Sequence, residues 1–154
     1  VIQLVLFWFL QDVLQVLMEG WAYVPDIFLF YLMFRSARNA EAEISLIWTA
    51  FLGGLLWDFR WSGLFGLNAA IYGGIIGLMC ILWKRVPFTG RSHWMLAGFL
   101  AAAHGMLSLS RVFFFGIASK EVAFAFAVQL ITVFPVILML AYAFSTDGEK
   151  RHVR

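Results

Sequence analysis

The sequence predicts an all-α integral membrane protein built as a bundle of six transmembrane helices. Three observations carry that expectation. The chain is 63% apolar and only 13% charged over 154 residues, and its mean hydropathy is +0.88. A soluble domain of this size needs a charged surface that such a composition does not provide. The apolar residues also fall into long continuous runs separated by short charged breaks. Bare backbone finds no hydrogen-bonding partner in lipid, so runs of this kind cross a membrane as helices. Finally, a span takes about 20 residues and a connection roughly 5 more, so the length allows about six spans in a single transmembrane domain.

Taken in order, the first run covers about Val1–Met18 and carries Gln11, Asp12 and Gln15 on one helical face. That face is too polar for lipid and is expected to turn towards the bundle or another protein. No basic region precedes the run and no small-x-small cleavage site follows it, so it reads as a retained helix. The second run, Trp21–Phe34, is short and contains Pro25-Asp26. Proline is tolerated in a first helical turn, where its missing donor has no partner anyway. A carboxylate there meets the positive end of the helix dipole, so Asp26 reads as a cap. The third run, Ile44–Trp57, is also short. Either polar flanks enter the membrane or neighbouring helices shelter both segments.

Between the third run and the fourth, Leu64–Trp83, stands the most distinctive stretch, from Gly53 through Asp58 to Gly66, Asn68 and Ala70. A carboxylate at such a break must be paired, hydrated or neutralised. The fourth run has small residues at Gly66, Ala70 and Gly74, and again at Gly73 and Gly77. Stripes of this spacing let two helix backbones approach closely. Two readings stand side by side: packing inside the bundle, or docking of a partner's helix. The fifth run, Trp94–Phe115, places His104, Ser108 and Arg111 on one face. Arg111 belongs to the same end of the bundle as Asp58, so an Asp58–Arg111 ion pair is expected. The sixth run, Val122–Phe144, offers Gln129 and Thr132 for interhelical hydrogen bonds, and a short polar tail of about 145–154 follows.

Eight basic residues (Arg35, Arg38, Lys84, Arg85, Arg91, Lys150, Arg151 and Arg154) lie on one side of this arrangement. Arg60 and Lys120 alone lie in the alternate loops. The asymmetry places both termini in the cytoplasm. Tryptophans 21, 57, 61, 83 and 94 at the ends of runs are expected to form an interfacial belt. The net charge of +2 is too small and too divided to indicate nucleic acid. One cysteine, Cys80, excludes an internal disulfide and a multi-cysteine metal site, and reads as a packing residue. Phosphate-binding glycine loops, nucleophile elbows and zinc-protease signatures do not occur, and the three histidines are dispersed. Neither an enzymatic activity nor a cofactor or metal is expected.

Several of these features, in this order and spacing, resemble the rod shape-determining MreD family of bacterial inner-membrane proteins. They are Gln11 and Gln15 in the first helix, Pro25-Asp26 at the second, and Arg35 and Arg38 after it. Gly53 and Asp58 follow, then Gly66-Leu67-Asn68-Ala69 with Tyr72 one turn on. Beyond Trp83 the likeness is one of length and hydrophobicity. The resemblance implies a six-helix bundle similar to the substrate-binding subunits of energy-coupling-factor transporters. It also implies a non-catalytic scaffold role in cell elongation and lateral peptidoglycan synthesis. The implied partners are an MreC-like membrane protein and, directly or through it, a RodA-type glycosyltransferase, a class B penicillin-binding protein and the MreB–RodZ cytoskeleton. A different class, a vitamin-binding transporter subunit, shares the bundle. Its alanine contact motif is missing from the first helix, where no alanine precedes Ala22, although Ala97 and Ala101 have the spacing. A membrane enzyme would have only Asp58, His104 and Arg111 to draw on.

Overall fold

A computed structural model describes residues 2–18, 24–38, 43–62, 64–87, 90–115 and 119–152. Six α-helices account for nearly all of them, and no strand occurs among the described residues. They are α1 (Ile2–Leu17), α2 (Ile27–Arg38), α3 (Glu43–Trp57), α4 (Leu67–Arg85), α5 (His93–Phe115) and α6 (Ser119–His152), with a π-helical turn, Asp58–Ser62, continuing α3. Each corresponds to one apolar run of the sequence. Among the described residues α4 is the one helix long and apolar enough to cross a membrane, and Ile2–Leu17 and Ile131–Phe144 are shorter apolar stretches.

The chain divides into two compact units, Leu29–Ser92 and Val1–Phe28 with His93–Arg154. In the first, α2, α3 and α4 run up, down and up. Lys84 near the end of α4 pairs with Glu43 at the start of α3 at 2.6 Å, and the Asp58 carboxylate at the far end of α3 meets Asn68 at the start of α4. The end of α2 lies beside the end of α4, where the Trp83 indole N–H donates to the Ala37 carbonyl at 3.2 Å. Ser36 Oγ and Cys80 Sγ approach to 3.2 Å one turn deeper.

α3 buries Leu46, Ala50, Gly53, Gly54 and Trp57, a stripe of three- and four-residue steps, and α4 meets α3 along Ala69, Gly73 and Gly77. α2 is short, but Phe28, Leu29, Phe30, Leu32 and Met33 are all buried. Pro25 precedes the helix instead of entering its first turn, which leaves Asp26 at the N-cap.

In the second unit α5 packs on α6. Leu96, Leu100, Ala103, His104, Leu107 and Ser108 form the buried face of α5, and Val133, Ile137 and Ala141 that of α6. Two members of the polar stripe of α5, His104 and Ser108, are therefore part of its buried face, with Ser108 Oγ and His104 Nε2 at 3.5 Å. α6 continues as helix to His152, through most of the expected tail, and contains Pro135. The ring removes one backbone donor from the ladder, a loss suited to the exposed side where Pro135 lies.

Trp57 and Trp83 are buried, and Trp94 is 68% exposed. The Trp83 indole is held by its hydrogen bond to Ala37, and the Arg91 guanidinium lies 5.8 Å from its centroid. Trp21 and the side chain of Trp61 lie outside the described residues.

Candidate functional site

The residues singled out in the sequence converge most densely where α3 gives way to α4. The helix loosens into a π turn at Asp58, and the chain reverses through Leu64–Gly66. Gly66 takes the left-handed conformation, φ +90°, and stands at the N-cap of α4 with no side chain to offer the helix. The orphaned donors of the first turn are served instead by Asp58. Its Oδ1 accepts the Asn68 N–H at 3.0 Å and the Asn68 side-chain amide at 2.9 Å, and its Oδ2 accepts the Ala69 N–H at 3.2 Å. A carboxylate 3% exposed is thereby held at the positive end of a helix dipole.

Such a reach demands close helices. A Cβ added to Gly54 would lie 2.5 Å from the Asn68 carbonyl oxygen and 2.6 Å from Ala69 Cα. The α3 and α4 backbones touch here, so this position admits only glycine. Gly53 beside it is buried as well. The sequence draws attention to Gly53, but it is Gly54, one turn before Asp58 on the same helical face, that the close approach requires. Above the junction, Phe59 and Phe65 meet edge to face at 4.6 Å.

A second convergence joins α1 to the start of α2. Gln11 is fully buried. Its Nε2 donates to Asp26 Oδ1 at 2.5 Å and its Oε1 accepts the Phe28 N–H at 2.8 Å. Asp26 directly precedes the helix, and one of the helix donors is capped by Gln11 of the neighbouring helix. Asp12 and Gln15 are buried too. The polar face of α1 thus turns inward, and its outer face is the apolar one of Val5, Leu6, Phe9 and Val13.

The two glycine stripes of α4 separate. Gly73 lies 3.7 Å from Phe51 and Gly77 3.9 Å from Ile47, measured from an added Cβ, which places both against α3. Gly74 and Ala70 are exposed, and an added Cβ on Gly74 meets nothing within 4 Å. The side chains of Arg111 and Gln129 lie outside the described residues, and with Arg111 the expected pair to Asp58. Thr132 donates to the Val128 carbonyl within α6. Among the described residues no three His, Cys, Asp or Glu side chains gather to hold a metal ion.

No family model matches the chain, and neither a curated protein nor a solved structure does.

Proposed function

We propose that the chain is a non-catalytic scaffold of the bacterial cell-elongation machinery in the inner membrane. In this reading it spans the bilayer six times with both termini in the cytoplasm. It binds an MreC-like single-pass protein and through it supports a RodA-type glycosyltransferase, a class B penicillin-binding protein and the MreB–RodZ cytoskeleton.

The observation that supports it is the α3–α4 junction. Asp58, Gly66 and Asn68, which carry the heart of the resemblance to MreD proteins, form one connected cap. Their order and spacing therefore have a common physical reason. The division of polar groups agrees with a scaffold: Gln11, Asp26, Asp58 and Asn68 are engaged with one another or with helix ends. Recognition is left to apolar helix faces, where lipid-embedded helices associate through packing.

The test is affinity purification of the tagged chain from native membranes, with the recovered proteins identified by mass spectrometry. An MreC-like protein is expected in the eluate, at higher yield than from an unrelated membrane bait. Recovery of no elongation protein overturns the reading.

A further inference from the structure

One end of the α2–α4 unit is strongly basic. Arg35 and Arg38 close α2, Lys84 and Arg85 close α4, and Arg91 follows. Glu43 is the one described carboxylate among them, and it takes Lys84; Glu41 belongs to the neighbouring undescribed segment. Two guanidinium groups rest on aromatic rings, Arg38 over Phe34 at 5.3 Å and Arg91 over Trp83 at 5.8 Å. Arg91 Nε also donates to the Val86 carbonyl. Cations complement helix C-termini, which accounts for some of this charge. It does not account for Arg91, which follows the helix and is held at its rim.

From that end an apolar exposed strip descends along α4 and the neighbouring α3. On α4, Ala70, Gly74, Leu78, Ile81 and Arg85 follow each other by three or four positions, so they share one face. On α3, Ile44, Trp48 and Leu52 do the same, and all three are more than half exposed. Between the two strips runs a groove of about 260 Å³, walled by Ile47, Trp48 and Phe51 and floored by Ala70, Gly73 and Gly74. The helical rise sets Arg85 about 16 Å along the axis from Gly74. Half of a hydrocarbon core of about 30 Å is nearly the same length.

We infer that this face binds an anionic phospholipid, its phosphate at the basic end beside Arg85 and an acyl chain in the α3–α4 groove. Charge selects the head: guanidinium forks match phosphate oxygens, and juxtamembrane basic clusters attract anionic lipid. Length and polarity select the rest of the ligand, because the distance from charge to groove is that of one leaflet. A peptide or a free phosphate matches one of these features and not both. The inference rests on the membrane residence proposed above and not on the identity of any protein partner.

The test uses the full chain in nanodiscs containing equal parts phosphatidylglycerol and phosphatidylcholine with identical acyl chains, extracted and analysed by native mass spectrometry. Wild type should retain phosphatidylglycerol preferentially. Arg85→Gln should reduce that preference about fivefold, from the attraction a basic residue exerts near an anionic surface. Gly74→Leu fills the groove without touching a neighbour in its first carbon. It should lose the retained lipid with the charges intact, and Ala70→Leu, also at an exposed position, serves as a second block. Glycerol 3-phosphate, a head without chains, should not displace the lipid.

Equal retention of the two lipids by wild type overturns the site. So does full retention by either folded groove variant, or displacement by glycerol 3-phosphate, which would mark a bare phosphate site. A chain that enters bilayers and ignores headgroup charge defeats this inference alone. One that does not enter them defeats the membrane reading beneath it, and absence of elongation proteins from a pull-down defeats only the scaffold.

Discussion

Replacing Asp58 with alanine removes three hydrogen bonds at once, two of them from backbone donors in the first turn of α4. Asn68 is 7% exposed and Ala69 is fully buried, so water does not readily replace the carboxylate. Each buried donor left without an acceptor costs about 1–3 kcal/mol. The lost charge at the helix N-terminus adds up to about 2 kcal/mol in a partly buried setting. Against this stands the desolvation of the carboxylate itself, which the variant no longer bears and which amounts to several kcal/mol. The balance is a loss of about 3 kcal/mol. Asp58→Asn keeps one acceptor oxygen for Asn68 but turns an amide donor towards the Ala69 N–H, and should lose about half as much.

Reversible unfolding in mixed micelles with graded denaturing detergent, followed by circular dichroism, measures both. Leu52→Ala, at a position 54% exposed, supplies the control for simple truncation. Asn68→Ala completes a double-mutant cycle. Because the Asn68 side chain donates to Asp58, the two losses should overlap by about 1 kcal/mol. Strict additivity, or an Asp58→Ala loss no larger than that of Leu52→Ala, would refute the cap. A parallel cycle with Arg111→Ala asks whether the pair expected from the sequence adds to it, and coupling there would identify a further partner of the same carboxylate.

Three other outcomes follow from the same geometry. Gly54→Ala should cost about 1–3 kcal/mol or prevent folding, since its methyl group would overlap backbone atoms of α4, whereas Gly74→Ala should be nearly neutral in the same unfolding assay. Gln11→Leu should destabilise by about 2 kcal/mol, because it strands the Phe28 N–H and withdraws the amide from Asp26, while Val13→Ala on the exposed side of α1 should change stability far less. A reporter fused after Arg154 should be active only in its cytoplasmic form, and periplasmic activity would reverse the orientation drawn from the basic residues.

The helices were legible because runs of apolar residues and their charged breaks set element boundaries without reference to tertiary contacts. All six runs became helices. What escaped was anything decided by approach between helices. Asp58 announced that it needed a partner, and Asn68 stood in the same motif, yet the pairing depends on two backbones touching at Gly54. Spacing rules pointed to Gly73 and Gly77 because they count residues along one helix and carry no information on which stripe meets a neighbour. The same limit applied to tryptophan. A position at the end of a run fits an interfacial ring, but Trp83 has Ala37 within reach of its N–H and is buried. In α6 the polar residues after Phe144 mark a tail by composition, and the structure adds that most of it, to His152, is helical.

The two convergences are one device used twice. α2 begins after an undescribed connection and α4 after a tight reversal, and neither first turn is served only from its own N-cap. Gln11 reaches the first turn of α2 from α1, and Asp58 reaches that of α4 from the end of α3. A helix that begins in an apolar interior cannot leave its first donors to water, and each unmet donor there costs more than it would at a surface. Supplying the acceptor from the preceding helix satisfies the donors and fixes the entry point of the next helix at the same time. Polar residues that look exceptional within apolar runs are then demanded by the fold before any activity is considered. Their presence cannot be counted as a sign of chemistry. Under the proposed scaffold role, recognition falls to surfaces these residues do not occupy, among them the apolar outer face of α1, the open groove of α3 and α4, and the basic end above it.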